Sequence, residues 1–306
     1  MKTKAPSRLI ASAVAARKAR IAIARQDANA FAALVLKNEE NGKSVRQAPM
    51  HVEWQDHVSR HRRVLIWAHV ESGKTQQLSV ARTLWELGNN PNLRVVVVSN
   101  TVKQAEKVSK AIGHYITESD ELKQVFPDLR PNPGGPWTQT AITVKRSTRA
   151  KDPSVQACGI HGSILGARID LLILDDILDY ENTRTAHLRN DTKQWVYSTL
   201  FGRLTADARV ICVGNAWHQE DLLHYFAQSK GWFAKSYPVC DANNQTNWPD
   251  QWPNKRIEQQ RIALGPLEFS RQMLNEARSN DSARFKKEWI DACLRRGEGR
   301  YPVDQY

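Results

Sequence analysis

From about residue 50 onward the chain alternates short, almost uninterrupted apolar runs with amphipathic stretches. Val64–Ala68, Arg94–Ser99, Asp170–Asp175 and Arg209–Gly214 are the clearest runs, each rich in Val, Ile and Leu. Runs that are apolar at every position, rather than at alternate ones, predict strands covered on both faces, as in a parallel sheet flanked by helices. Ala141–Lys145 is a further strand candidate. Helices are predicted over Thr75–Leu87, stopped by Gly88-Asn-Asn-Pro91, and over Val102–Ile116. Phe126–Pro136, with four prolines and two glycines, reads as a loop. Ahead of this alternation, Ser7–Leu36 reads as one Ala-rich basic helix, with Ile10, Val14, Ile21, Phe31 and Leu34 partly on one face and Asn38–Gly42 as the turn that ends it. The pattern as a whole predicts an α/β fold.

The chain has 306 residues and a net charge of +12, from 44 Lys and Arg against 32 Asp and Glu. The length suits one large domain or two small ones. No apolar run approaches a membrane span, so no membrane association is expected. The four cysteines, Cys158, Cys212, Cys240 and Cys293, are widely spaced without a CxxC pair, which excludes a disulfide scaffold and points to a reducing compartment. The charge is uneven: residues 1–48 hold ten basic residues against three acidic ones, and 254–300 hold 11 against seven, around a nearly neutral middle. Basic flanks favour a polyanion without sequence preference. The organisation expected is a basic helical extension at 1–48, a nucleotide-binding core at 49–245 and a helical linker or lid segment at 246–306.

The chemistry begins where the first strand ends. Ala68-His69-Val70-Glu71-Ser72-Gly73-Lys74-Thr75 fits G-x-x-x-x-G-K-[ST] at every position but the first. Such a loop curls backbone N–H groups around phosphate at a helix N-terminus. Gly73 permits close approach, Lys74 reaches the β- and γ-phosphates, and the Thr75 hydroxyl ligates Mg2+. About a hundred residues on, Leu171-Leu-Ile-Leu-Asp175-Asp176 is an apolar strand ending in paired carboxylates. In a P-loop NTPase Asp175 would hold Mg2+ and Asp176 would polarise the attacking water. Val210–Asn215 is a third strand, ending in an amide placed to sense the γ-phosphate. Met50–Gln55 precedes the first strand, where Gln55 is a candidate adenine contact and Trp54 a stacking partner. His57 and His61 are four apart but lack a third metal ligand, and are expected to face solvent. The fold predicted is a P-loop NTPase of the ASCE/RecA-like kind.

These segments and their surroundings resemble the ATPase half of the terminase large subunit, the DNA-packaging motor of tailed bacteriophages. The resemblance extends to Gly166-Ala-Arg-Ile-Asp170 before the acidic strand, Trp195–Leu204, Ala216-Trp-His-Gln-Glu-Asp-Leu222, Asn247-Trp-Pro, Leu264–Met273 and Arg284–Trp289, in order across roughly residues 30–292. Where many relatives carry arginine and glutamate, this chain has His69 and Asp176.

The resemblance implies an ATP hydrolase that uses ATP and Mg2+ to drive double-stranded DNA into a procapsid in the cytoplasm of an infected or lysogenic bacterium. Portal protein and the small terminase subunit are the implied partners. The implied assembly is a homo-oligomeric ring, with a monomer or weak oligomer in isolation. A neighbour would supply an arginine finger, with Arg168 the first candidate, Arg203 the second and Arg149 the third. The loop Lys145–Lys151 and the basic termini are candidate DNA-backbone contacts. Large subunits normally continue into a nuclease domain, and with the sequence stopping at Tyr306 no DNA cleavage is expected. The alternatives are another P-loop translocase or helicase-like ATPase, for which too few residues follow Asn215 to form a second lobe, or a non-catalytic nucleotide-binding packaging module.

Overall fold

A computed structural model describes residues 5–39, 41–164, 167–277 and 293. Its strands are β1 (Arg63–Ala68), β2 (Val95–Ser99), β3 (Ala141–Ile142), β4 (Val155–Gly159), β5 (Ile169–Asp175), β6 (Leu204–Gly214) and β7 (Phe233–Tyr237). They form a seven-stranded sheet in the order β3-β4-β2-β5-β6-β1-β7. Every pair is parallel except β3 with β4. The predicted apolar runs occupy its centre. Their register, with Leu174 beside Cys212 and Val98, and Ile66 beside Val213, aligns the carboxyl ends of β2, β5, β6 and β1 along one edge.

Successive strand residues point to opposite faces, and each face has its own core. Val64, Ile66, Val97, Leu171, Ile173 and Val213 pack on one side. They meet α2 (Ala28–Val35), Leu78, Leu84 and Leu87, and α5 (Val102–Glu118) there. Leu65, Val98, Leu172, Leu174 and Cys212 pack on the other side with Val196, Leu200 and Phe226. The remaining helices are α1 (Ala5–Gln26), α3 (Pro49–Arg60), α4 (Arg82–Asn89), α6 (Asp120–Val125), α7 (Tyr180–Thr183), α8 (Ala186–Trp195), α9 (Leu222–Gln228) and α10 (Asn254–Gln272). A π-helical stretch, Thr75–Ala81, leads into α4. The chain kinks at Gly265, whose φ is +69° ahead of Pro266, which divides α10 into two arms.

The structure corrects several expectations. The single helix over Ser7–Leu36 is two helices, because the Asp27 carboxylate accepts the Ala30 N–H at 2.6 Å and starts α2 as an N-cap. Phe31 is buried in the main core and Ile21 and Leu34 pack against it, whereas Val14 is exposed. The strand expected over Ala141–Lys145 is a strand only at Ala141–Ile142; beyond it Val144 makes an isolated bridge with Pro131 and its N–H turns to the Ser154 hydroxyl. His61 is exposed as expected, whereas His57 is half-buried. Both rings stack on Phe233, at 4.2 and 4.5 Å between centroids, and His57 Nε2 lies 3.1 Å from the Tyr237 hydroxyl.

Candidate phosphate-binding site

The loop between β1 and the π-helical stretch wraps the carboxyl end of the sheet. Glu71 and Gly73 both have positive φ, +56° and +80°, which makes the tight curl. The loop is held from outside. The Asn215 side-chain amide donates to Ala68 O at 3.0 Å, and the Val70 N–H donates to Gln272 O at 3.0 Å. His51 of α3 lies 2.7 Å from Ser72 O. Glu71 pairs with Arg256 at 2.5 Å, and that guanidinium lies 3.9 Å over the Trp252 ring.

The acidic pair meets this loop. Asp175 is buried and accepts the Thr75 hydroxyl at 3.1 Å. Burial and the neighbouring Asp176 charge raise its pKa, against the opposing pull of Lys74 and Thr75. Asp176 sits at φ +48°, with its backbone pinned on both sides: its N–H donates to Val213 O and its carbonyl accepts the Asn100 N–H. Its carboxylate is 3.3 Å from the Lys74 ammonium, which also donates to Asn215 Oδ1 at 3.3 Å. Lys74, Thr75, Asp175, Asp176 and Asn215 therefore converge from three separate segments. A cleft of about 360 Å3 opens beside them, lined by Thr75, Gln76, Gln104, Lys107, Asp175 and Asp176.

The Thr75–Asp175 pair suits a hard divalent cation, since its donors are a hydroxyl and carboxylate oxygens. Among the described residues there is no cluster of three or more His, Cys, Asp or Glu that could hold a metal. His69 is fully buried with its ring edge-on to Trp252, and burial lowers its pKa to about 4. Gln55 is buried; its amide donates to Gln77 O at 2.7 Å, and its Oε1 accepts from Arg82 at 3.4 Å. Trp54 is wholly buried, edge-on to His51 and Tyr237, and presents no open face to a base.

No protein-family profile matches the sequence. The terminase large subunit of Enterobacteria phage T3 is 26% identical over 184 residues, 59% of this chain and 28% of that protein. The large terminase of bacteriophage HK97 superposes with a TM-score of 0.60 at 13% identity, covering 84% of this chain and 57% of that one. A mutant ATPase domain of the Thermus phage P74-26 large terminase gives 0.51 at 15% identity, over 75% of this chain and 94% of that domain. The fold is that of a phage large-terminase ATPase domain. The chain spans only part of the T3 and HK97 large subunits.

Within this terminase-type fold, Arg168 and Arg203 sit at the amino ends of β5 and β6 and line one cleft of about 430 Å3. That edge is opposite the phosphate loop; the seven residues of β5 separate the two by about 20 Å. Arg149 lies in an exposed loop, and Arg146 in that loop is turned inward, donating to Ala150 O and Asp152 O at 2.6 Å. Gly166 and Arg284–Trp289 lie outside the described residues. His51, Arg256 and Gln272 were not singled out by the sequence, because each reaches the loop from a distant segment without a spacing that marks it.

Proposed function

We propose that the chain is the ATPase motor domain of a terminase large subunit, hydrolysing ATP with Mg2+ to drive double-stranded DNA into a procapsid. The observation that carries this reading is the convergence of Lys74, Thr75, Asp175 and Asp176 at one sheet edge. Thr75 and Asp175 would hold Mg2+, which when bound neutralises charge on the phosphates. Catalysis of phosphoryl transfer is mostly positioning and charge neutralisation. The loop N–H groups and Lys74 bind the β- and γ-phosphates. A γ-phosphate competes with Asp176 for the Lys74 ammonium, so substrate binding frees that carboxylate to orient the attacking water. Asn215, bonded to both Lys74 and Ala68 O, is set to register the change.

Arg168 and Arg203 are too far from their own loop to act in cis, so either would serve only on a neighbouring copy. The proposed setting is a ring on the portal, with the small subunit as a further partner, in the host cytoplasm. Steady-state hydrolysis measured against protein concentration, with and without duplex DNA, tests this. Lys74→Ala and Asp176→Asn should each lower turnover on the order of 10²-fold or more, and wild-type rate should rise more than linearly with concentration. A wild-type rate no higher than that of Lys74→Ala under all these conditions counts against hydrolysis by this chain. Strict proportionality counts against a trans arginine.

A further inference from the structure

We infer that His51 is a positioning residue for the phosphate loop, setting the direction of the Gly73 N–H from behind. The inference rests on the nucleotide-binding reading above. His51 is the third residue of α3 and is buried. Its Nδ1 accepts the Ala48 N–H at 3.0 Å, which places the ring proton on Nε2, and Nε2–H donates to Ser72 O at 2.7 Å. The ring cannot drift, because Trp54 and Trp248 meet it edge-on at 4.9 and 4.7 Å.

The Ser72–Gly73 peptide is planar and trans, so its C=O and N–H point in opposite directions. Anchoring the carbonyl outward on His51 turns the Gly73 N–H toward the inside of the curl. That N–H lies one residue before Lys74, among the donors that the start of a helix leaves unpaired for an anion. Gly73 also has φ +80°, a conformation with little intrinsic preference, and a Cβ there would lie 3.6 Å from His51 Nε2. Glycine alone leaves this peptide free to rotate. The imidazole removes that freedom before a phosphate arrives, and preorganised donors bind more tightly than donors that must be ordered on binding.

The test is affinity for a fluorescent ATP analogue on the full 306-residue chain, comparing wild type, His51→Leu, His51→Gln and Val58→Ala, with melting temperatures measured alongside. Val58 is buried on the same helix, and shortening it leaves both His51 hydrogen bonds in place, so its truncation reports what destabilising α3 alone does. His51→Leu should weaken binding about tenfold, the scale of one lost buried hydrogen bond. His51→Gln keeps an N–H donor near the Nε2 position and should recover most of the loss. Val58→Ala should lower the melting temperature while leaving affinity near wild type. Wild-type affinity in His51→Leu, or an equal loss in Val58→Ala, overturns the inference while leaving the nucleotide site standing. Failure of wild type itself to bind overturns the nucleotide reading, and this inference with it.

Discussion

Asp221 gathers four donor contacts beside the strand end that carries Asn215. One oxygen accepts the His224 N–H and faces His224 Nδ1, at 2.9 and 2.8 Å, and the other accepts the Trp217 and His218 N–H groups at 3.2 and 3.1 Å. Its side chain caps α9 and ties down the turn that follows Asn215. Asp221→Ala should therefore destabilise the fold on the order of 3 kcal/mol, since it strands buried donors; chemical denaturation reads this directly, and Asp221→Asn should cost less. The Trp-His-Gln-Glu-Asp segment was legible as a motif, but its physical reason, a carboxylate four residues beyond Trp217 reaching back to its N–H, was not. Asp175 and Asp176 were legible because they stand at a strand end, and Lys74 and Thr75 because they close a loop of fixed spacing after one. The surroundings of Gln55 were not legible, because its place in the sequence says nothing of which way a helix turns its side chain, and α3 turns it toward Gln77 and Arg82.

At the scale of elements, the central strands announced themselves through unbroken apolar runs, whereas β4 did not. Val155-Gln-Ala-Cys-Gly159 is short and carries a polar residue, and it becomes a strand because β2 offers it a parallel partner. Its last residue shows how closely the layers meet. A Cβ on Gly159 would lie 2.5 Å from the Val102 backbone nitrogen and 2.9 Å from the Thr101 carbonyl carbon. Backbone cannot swing aside as a side chain can, so Gly159→Ala should push the start of α5 from the sheet and destabilise by about 1–3 kcal/mol, the range of overpacked cores. The same amount of lost stability without a shift in α5, seen by amide exchange across Val102–Ala105, would contradict this account. The break between α1 and α2 escaped periodicity analysis because one aspartate sufficed to cap a new helix within an Ala-rich run.

For the whole molecule, two neutral imidazoles set a lower limit to the pH range of stability. Burial lowers the pKa of both His51 and His69 from 6.5 to about 4. In the unfolded chain both titrate near 6.5, so protons favour unfolding below that value. Their contribution is complete above about pH 6.5 and is lost as pH falls toward 4, by up to about 3 kcal/mol for each. Denaturant midpoints taken between pH 7 and pH 4 should fall steeply, and His69→Phe should flatten the slope. Both histidines flank the phosphate loop, so acid should loosen that loop together with the fold.

The loop's other attachment has a mechanical meaning. Val70 is bonded to Gln272, Glu71 to Arg256, and His69 leans on Trp252, so consecutive loop residues are tied to the two arms of α10 and the segment before it. Linkage gives such ties no direction: whatever factor nucleotide applies to the docking of α10, the docking of α10 applies to nucleotide affinity. On the proposed motor reading, a pull on α10 is then a change in the chemical potential of bound nucleotide, and load and fuel are read by the same few atoms.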